Sequence, residues 1–156
     1  MARASLRHVR STVKPGSERH RSIPADLIEA HHRSELQATR IFAYGNLAAW
    51  DAIISCFDTK FTYWLIRPTQ VDPDITVATP VPNHPSYPSS SSCETGAWQA
   101  VLADAFPSEE RFVNATAREA SLSRLFAGLH YRFDCEAGLK LGRRAGRLAL
   151  RRVIEE

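Results

Sequence analysis

The sequence has no run of apolar residues that approaches the ~18 needed for a membrane-spanning helix. It also lacks the apolar stretch of about 7–15 residues that follows the basic start of a signal peptide. Internal repeats and strand-like alternation of useful length are absent as well. The 156 residues are 44% hydrophobic and 24% charged, which excludes a wholly disordered or fibrous chain and favours one globular domain.

Cysteine and lysine are both scarce. An odd number of cysteines cannot pair fully, and the three present lack metal-site spacing, so we predict buried thiols at Cys56, Cys93 and Cys135. Arginine dominates the positive charge, and the net charge is +3. Solvated arginines, nucleic acid, an acidic membrane surface or a small anion would each explain this excess, and composition does not choose among them.

The charge is concentrated at the start of the chain. Residues 1–22 carry many cations and one acid, Glu18, with few apolar residues, and Pro15-Gly16 interrupts any helix. We therefore predict a basic, disordered tail over residues 1–22 and a helical domain over residues 23–156. A nucleic-acid-binding role for the tail rests on charge alone, without a recognised motif.

Capping signals and apolar spacing predict an all-α fold. Pro24 suits the first turn of a helix over residues 24–33, and Ser34 with Gln37 makes a capping box for the next helix. Further helices are expected at about residues 92–106, 117–128 and 135–154, with Asp134 as the N-cap of the last. The apolar stripe of the second helix, which continues to about residue 64, follows alternating steps of four and three: Ala43, Leu47, Trp50, Ile54, Phe57, Phe61 and Trp64.

A proline-rich segment separates the second helix from the third. Six of the nine prolines lie between Pro68 and Pro88, so neither a helix nor a central strand is expected there. Loops longer than about 12–15 residues are uncommon in compact domains unless they are functional or disordered. Its apolar residues favour an ordered loop.

Two cations stand before this loop. Lys60 and Arg67 are seven residues apart, nearly two helical turns, so both can face the same way. Solvated cations that stabilise a helix C-terminus are the structural alternative.

A serine run stands at the start of the helix after the loop. The free N–H groups of a helix start and its dipole favour a bound anion, and serine hydroxyls add donors. A well-capped helix after a turn is the structural alternative. The run consists of Ser89, Ser90, Ser91 and Ser92.

Arg124, His130 and Asp134 form a third group. On one continuous helix Arg124 and His130 would lie on different faces, but Gly128 permits a break that reorients them. Asp134 lies one helical turn beyond His130 and can accept a hydrogen bond from one imidazole nitrogen. This would leave the other nitrogen free to bind or attack, which makes the pair a better candidate than a lone histidine.

Together these motifs resemble the signature of the superfamily of type 2 phosphatidic acid phosphatases (PAP2) and vanadium-dependent haloperoxidases, in particular its soluble bacterial branch. The resemblance covers roughly residues 35–150. It is carried by three ordered motifs: Lys60-x6-Arg67-Pro68, Pro88-Ser89 at a helix start, and Ser123-Arg124-x5-His130-x3-Asp134.

The resemblance implies a helical bundle that holds a tetrahedral oxyanion. This is the substrate phosphate in phosphatases, which need no cofactor, and bound vanadate in haloperoxidases, which use peroxide and halide. His130 would be the phosphatase nucleophile that forms a phosphohistidine, or the ligand of vanadium, and Asp134 would orient it. The oxyanion would be held by Lys60, Arg67, Arg124, Ser89 and the Ser90 N–H.

The sequence departs from the family in its second motif, Pro-Ser-Gly-His. Ser90 takes the glycine position and Ser91 the position of the histidine that serves as general acid. A serine hydroxyl is far too weak an acid for that role, and general acid–base catalysis typically contributes 10²–10⁴-fold. We expect impaired turnover, with a non-catalytic anion-binding or helical interaction domain as the alternative. His84, seven residues earlier, could fold back into the site.

The chain is short for this family, whose soluble members have further helices before the first motif. The resemblance therefore implies an incomplete copy with an exposed helix face. Such an apolar face favours association, with a homodimer as one outcome.

Overall fold

The computed structural model describes the backbone of residues 16–152 and the side chains of residues 22–152. All regular structure in this range is helical, which confirms the all-α prediction. No helix in the range is both long and apolar enough to cross a bilayer. The elements are α1 (Gly16–Ala30), α2 (Glu35–Tyr63), α3 (Pro68–Val71), α4 (Ser90–Ala105), a 3-10 turn (Pro107–Glu109), α5 (Glu110–Phe126) and α6 (Arg132–Arg152).

Helix α1 begins earlier than the sequence predicts. It starts directly after Pro15 and contains Pro24, which was expected in the first turn. Ile23 and Leu27 are buried in a cluster formed with α2, α4 and α5, and this packing offsets the backbone hydrogen bond that proline removes. The helix crosses the predicted boundary at residue 22. Most of the predicted tail, residues 1–15, lies outside the described residues, so the domain division stays a prediction.

The capping box at the start of α2 is confirmed. Ser34 Oγ accepts from the Gln37 N–H at 3.3 Å, and Gln37 Oε1 accepts from the Ser34 N–H at 3.0 Å. The helix ends at Trp64, a left-handed residue whose N–H donates to the Lys60 carbonyl at 2.9 Å. This reversal redirects the chain toward Arg67.

The buried face of α2 is not the large apolar stripe. Trp50 and Ile54 are 67% and 65% exposed, and Leu47, Phe61 and Trp64 are also exposed. The buried face instead consists mainly of small residues: Ile41, Gly45, Ala48, Ala49, Ala52, Cys56 and Lys60. The apolar stripe correctly predicted that this segment is a helix, but it did not predict which face of α2 packs against α4 and α6.

Helices α2 and α6 both approach α4 closely, and a Cβ on Gly45 of α2 would lie 2.0 Å from the Trp98 ring of α4. A Cβ on Gly142 would lie 1.9 Å from the Cys93 carbonyl oxygen, and one on Gly138 would lie 2.6 Å from the Ser89 carbonyl oxygen. The backbones of α4 and α6 therefore touch, and small side chains on α2 complete the same layer. The packing holds the start of α6 against the start of α4.

The four-residue helix α3 lies in the proline-rich segment where no helix was expected, because Pro68 occupies its first position and needs no hydrogen-bond acceptor there. The remaining helix boundaries are close to the predictions, with two exceptions. Helix α5 begins at Glu110, seven residues before its predicted start, because the 3-10 turn after Phe106 leads directly into it. Helix α6 begins at Arg132, so Asp134 lies inside its first turn and is not the N-cap. The three cysteines are free and buried, as predicted.

The loop between α3 and α4 is ordered and tied at both ends. The Ala78 N–H donates to the Ala127 carbonyl at 3.2 Å, and the Ser86 N–H donates to the Leu65 carbonyl at 2.8 Å. Gly128 has a φ of 72°, and a Cβ there would lie 2.8 Å from the Thr76 carbonyl oxygen. The break that the sequence predicts at Gly128 is therefore present, and it turns the chain toward His130.

Candidate functional site

His130 and Asp134 form the buried centre of the site. His130 Nδ1 lies 3.0 Å from Asp134 Oδ2, and the two residues are 4% and 0% exposed. A carboxylate can only accept, so Nδ1 carries the hydrogen and Nε2 of the neutral ring presents its lone pair. Burial lowers the pKa of His130, against the opposing effect of the hydrogen bond to Asp134. The neutral, nucleophilic form therefore prevails at neutral pH.

Asp134 is itself held in place by two further donors. Its Oδ2 accepts from Ser86 Oγ at 2.5 Å and from the Tyr131 N–H at 3.1 Å. Ser86 is fully buried, and its Oγ lies 3.5 Å from His130 Nδ1. Sequence reasoning missed Ser86. Its only signal was a small residue after a proline in the loop next to the serine run.

Arg67 connects the loop to His130. The side chain is 3% exposed, and Nη1 lies 2.8 Å from the Leu129 carbonyl oxygen and 3.1 Å from His130 Nε2. Nη2 lies 3.2 Å from His84 Nδ1, while Nε and Nη2 both donate to the His84 carbonyl. Burial lowers the pKa of Arg67 from its ordinary value, and Asp134 opposes this.

These contacts use all five N–H donors of the guanidinium. The carbonyl bonds belong to the loop backbone, whereas the two imidazole contacts are made to side chains that can move. An anion that binds Arg67 would therefore replace an imidazole contact.

Lys60 lies beneath the same loop segment. It is fully buried, and Nζ donates to the Pro85 carbonyl at 2.7 Å and the Ser86 carbonyl at 3.0 Å. Burial lowers its pKa to about 8, against the opposing effect of Cys56. An ammonium has three donors, so one remains for a ligand. Lys60 and Arg67 thus converge on residues 84–86, although Arg67 lies beyond the end of α2 and does not share a helix face with Lys60 as the spacing predicted.

The start of α4 lies beside this centre. Ser89 is the buried N-cap, its Oγ accepts from the Ser92 N–H at 3.4 Å, and its own N–H donates to the Asp134 carbonyl at 3.0 Å. Ser90 and Ser91 occupy the first two positions of the helix, where backbone N–H groups have no acceptor within the helix. The helix dipole favours an anion here. The Ser91 hydroxyl makes no hydrogen bond within the described residues.

Arg124 does not join the cluster. It is half-buried in the last turn of α5, and its Nε donates to Ser123 Oγ at 3.2 Å. Within the part of the chain described, its guanidinium makes no hydrogen bond to His130, Asp134 or Arg67. The structure therefore brings together Lys60, Arg67, His130, Asp134 and the start of α4, and a role for Arg124 stays a prediction.

The donor set fits a tetrahedral oxyanion. Two buried cations, a helix start and the unprotonated Nε2 of a buried imidazole lie close together, and Asp134 is turned toward His130 and Ser86. These features define a class of all-α proteins with an anion site built around an oriented histidine. Sequence comparison then identifies the family: the model of the PAP2 superfamily matches residues 40–155, so the chain belongs to the PAP2 superfamily.

A solved structure shares the fold. The chain is similar to the protein described as the first bacterial vanadium-dependent iodoperoxidase, with a TM-score of 0.76 and 27% sequence identity. The match covers 89% of this chain and 39% of that chain, so the present sequence spans about two fifths of that protein's length. No sequence among curated proteins matches this chain.

Proposed function

We propose that this chain binds a tetrahedral oxyanion beside His130 and hydrolyses phosphate monoesters through a phosphohistidine on Nε2. The observation that carries the proposal is the tautomer of His130. His130 Nδ1 lies 3.0 Å from Asp134 Oδ2, which keeps the ring hydrogen on Nδ1. The lone pair of Nε2 is therefore directed toward the Arg67 guanidinium. The nucleophile and the cation are 3.1 Å apart, so an oxyanion that replaces this contact would meet both.

Two steps complete the reaction. The Nε2 lone pair attacks phosphorus, the bond from phosphorus to the ester oxygen breaks, and the leaving oxygen takes up a proton. Water then attacks the phosphohistidine, the phosphorus–nitrogen bond breaks, and phosphate leaves with His130 regenerated. Arg67, Lys60 and the amides at the start of α4 stabilise the charge on the non-bridging oxygens in both steps, and Ser89 positions the helix start.

Vanadate-dependent oxidation of halide by peroxide is the second candidate, favoured by the similarity to the iodoperoxidase. Vanadate has the shape of phosphate, and the same residues fit it: His130 Nε2 as the ligand of vanadium, with Lys60, Arg67, Ser89 and Ser90 around its oxygens. When bound, vanadate would activate peroxide toward the halide. The contribution of this chain is to bind the anion and to hold Nε2 unprotonated.

A parallel assay separates the candidates. Hydrolysis of phenyl phosphate and oxidation of bromide or iodide by peroxide are measured with and without vanadate, in the native protein and in His130→Ala. For the phosphatase, we expect hydrolysis that vanadate inhibits and that His130→Ala abolishes. For the haloperoxidase, halide oxidation should require vanadate. His32→Asn is the matched control, because His32 is exposed and its left-handed backbone tolerates Asn.

A substitution at Ser91 distinguishes a weak enzyme from a non-catalytic binding domain. Replacing Ser91 by His restores the family's general acid at the start of α4. A rise in turnover of 10²-fold or more would indicate an impaired enzyme. Binding of phosphate without turnover in both forms would favour the non-catalytic anion-binding domain. If neither phosphate nor vanadate binds to the native protein or to Ser91→His, the proposal is contradicted.

We also propose that a second copy of the chain packs against the exposed face of α2. Leu47, Trp50, Ile54, Phe61 and Trp64 are each 42–67% exposed and lie three, four, seven and three residues apart, a spacing that keeps them on one side of the helix. Large apolar side chains have surfaces on the scale of about 150–250 Å² each. At the exposures given above, the five together expose roughly 600 Å². A standard interface buries about 800 Å² per partner, so paired α2 helices supply most of what a stable dimer needs.

A further inference from the structure

His84 is fixed beside the anion site by contacts on three sides. Its carbonyl oxygen accepts from Arg67 Nε and Nη2 at 3.2 and 3.1 Å, and its Nδ1 lies 3.2 Å from Arg67 Nη2. The ring also lies against Phe57, with 5.1 Å between the ring centroids. The imidazole is half-buried, so one side remains open to a ligand.

His84 and His130 share one guanidinium. His130 Nε2 contacts Nη1, and His84 Nδ1 contacts Nη2 of Arg67. An oxyanion held by Arg67 and attacked by His130 therefore lies within the immediate surroundings of the His84 ring.

The contacts of His84 allow both protonation states. Arg67 can only donate, so in the neutral ring Nδ1 accepts from it and Nε2 carries the hydrogen. In the charged ring Nδ1–H can instead donate to the Pro85 carbonyl, which also lies 3.2 Å away. Nε2 makes no hydrogen bond within residues 16–152, so it is the nitrogen available to a ligand.

The charges that face His84 explain how a bound anion would change the protonation state of its ring. Burial lowers the pKa of His84, and Lys60, Arg67 and His130 lower it further, while the Pro85 carbonyl raises it. Lys60 belongs to α2, Arg67 precedes α3 and His130 precedes α6. A bound phosphate compensates these positive charges and displaces the Arg67 contact, and both changes favour protonation of the ring.

We propose that His84 donates the proton to the leaving oxygen, the role for which Ser91 is unsuited. This inference rests on the proposed function of the same site. In the first step the proton moves from His84 Nε2 to the ester oxygen as its bond to phosphorus breaks. In the second step His84 takes a proton from the attacking water, which returns the ring to its starting state.

The first experiment varies the leaving group. His84→Gln keeps an amide oxygen that can accept from Arg67 but cannot transfer a proton. We expect kcat/KM for phenyl phosphate, whose leaving group is a strong base, to fall by about 10²-fold. The fall should be less than about 10-fold for dinitrophenyl phosphate, whose leaving group needs no proton. Adding Ser91→His to His84→Gln should restore most of the loss.

The second experiment does not depend on turnover. Inorganic phosphate is titrated into the native protein by calorimetry in buffers of different ionisation enthalpy at neutral pH. We expect proton uptake on binding in the native protein and in the control His32→Asn, and its loss in His84→Gln. Resonances of the His84 ring nitrogens should show the same change directly.

The outcomes distinguish the two proposals. One outcome is that His130→Ala abolishes hydrolysis while His84→Gln lowers kcat/KM equally for phenyl phosphate and dinitrophenyl phosphate. In that case His84 has a structural role, so the inference is wrong and the proposed function stands. Phosphate binding without proton uptake at His84 also overturns the inference. If hydrolysis is independent of His130, or if phosphate does not bind at all, the proposed function fails and the inference fails with it.

Discussion

Replacing Asp134 by Asn should separate the orientation of His130 from the binding of the anion. Oδ2 accepts from Ser86 Oγ, His130 Nδ1 and the Tyr131 N–H at 2.5, 3.0 and 3.1 Å. A hydrogen bond to a charged group contributes about 1.5–3 kcal/mol and a neutral one about 0.5–1.5, so each bond loses roughly 1 kcal/mol. The loss is partly offset, because the buried Oδ1 has no partner and removing its charge removes a desolvation cost.

With the amide nitrogen in the place of Oδ2, the Tyr131 N–H is left without its acceptor, which costs about 1–3 kcal/mol more. We therefore expect the free energy of unfolding to fall by roughly 3–4 kcal/mol, which leaves a domain of typical stability folded. The chemical effect should be larger. An Asn amide that faces the ring donates to Nδ1 and moves the hydrogen to Nε2, which removes the nucleophilic lone pair. The corresponding change in a serine-protease triad costs about 10⁴ in kcat, so we expect a loss of 10²–10⁴. The Kd of phosphate should change little.

Three measurements test this reasoning: urea unfolding, kcat for phenyl phosphate, and the ¹⁵N resonances of His130, which report the tautomer directly. Ser86→Ala removes one donor and keeps the carboxylate, so it should lose stability without changing the tautomer. Glu136→Gln, an exposed change on the same helix, is the neutral control. If Asp134→Asn keeps the hydrogen on Nδ1 and its kcat is unchanged, Asp134 does not orient His130.

Further predictions concern packing, pH, ligand binding and association. Gly142→Ala should lower the free energy of unfolding by about 3 kcal/mol or more in urea titrations, because its Cβ would lie 1.9 Å from the Cys93 carbonyl oxygen, whereas the exposed Arg144→Ala should be neutral. The pKa of Lys60 is lowered to about 8 in the folded protein, so the unfolded chain binds more protons between pH 8 and about 10.5. The free energy of unfolding should therefore rise across that window by up to roughly 3 kcal/mol relative to Lys60→Met. The affinity for phosphate should fall above pH 8. Both quantities are measured as a function of pH in the two proteins. Phosphate at 100 times its Kd should add about 2.7 kcal/mol, or roughly 5–10 °C in Tm, and no shift with either phosphate or vanadate would contradict the anion site. Trp50→Glu should shift a dimer to monomer in sedimentation velocity, and a native protein that is already monomeric would contradict pairing through α2.

Local sequence signals predicted much of the fold because they act within one or two turns of a helix. The capping box at Ser34 depends on contacts three residues apart, and the break at Gly128 depends on the φ of a single residue. The His130–Asp134 pair was also predictable, since the two residues are only four apart in sequence, although His130 precedes α6 and is not on the same helix face as Asp134. Motif spacing thus identified the family before any tertiary contact was known.

Contacts between distant segments were not predictable in the same way. His84 approaches Arg67 because the proline-rich loop folds back across the start of α3, and Ser86 reaches Asp134 across 48 residues of sequence. Arg124 was expected to hold the oxyanion, and this stays a prediction, since its only side-chain bond among the described residues goes to Ser123 in its own helix. No periodicity encodes these distances.

The sequence by itself determined the helical class, the helix starts with good caps, and the pairing of His130 with Asp134, since these depend on local chemistry. Tertiary structure decided which face of α2 is buried. The large apolar stripe has the stronger hydrophobic pattern, but α2 packs on α4 through small residues, with a Cβ on Gly45 only 2.0 Å from the Trp98 ring, in the same layer where α6 approaches α4 at Gly138 and Gly142. Packing geometry, more than the amount of apolar surface, therefore set the core and left Trp50 and Ile54 exposed.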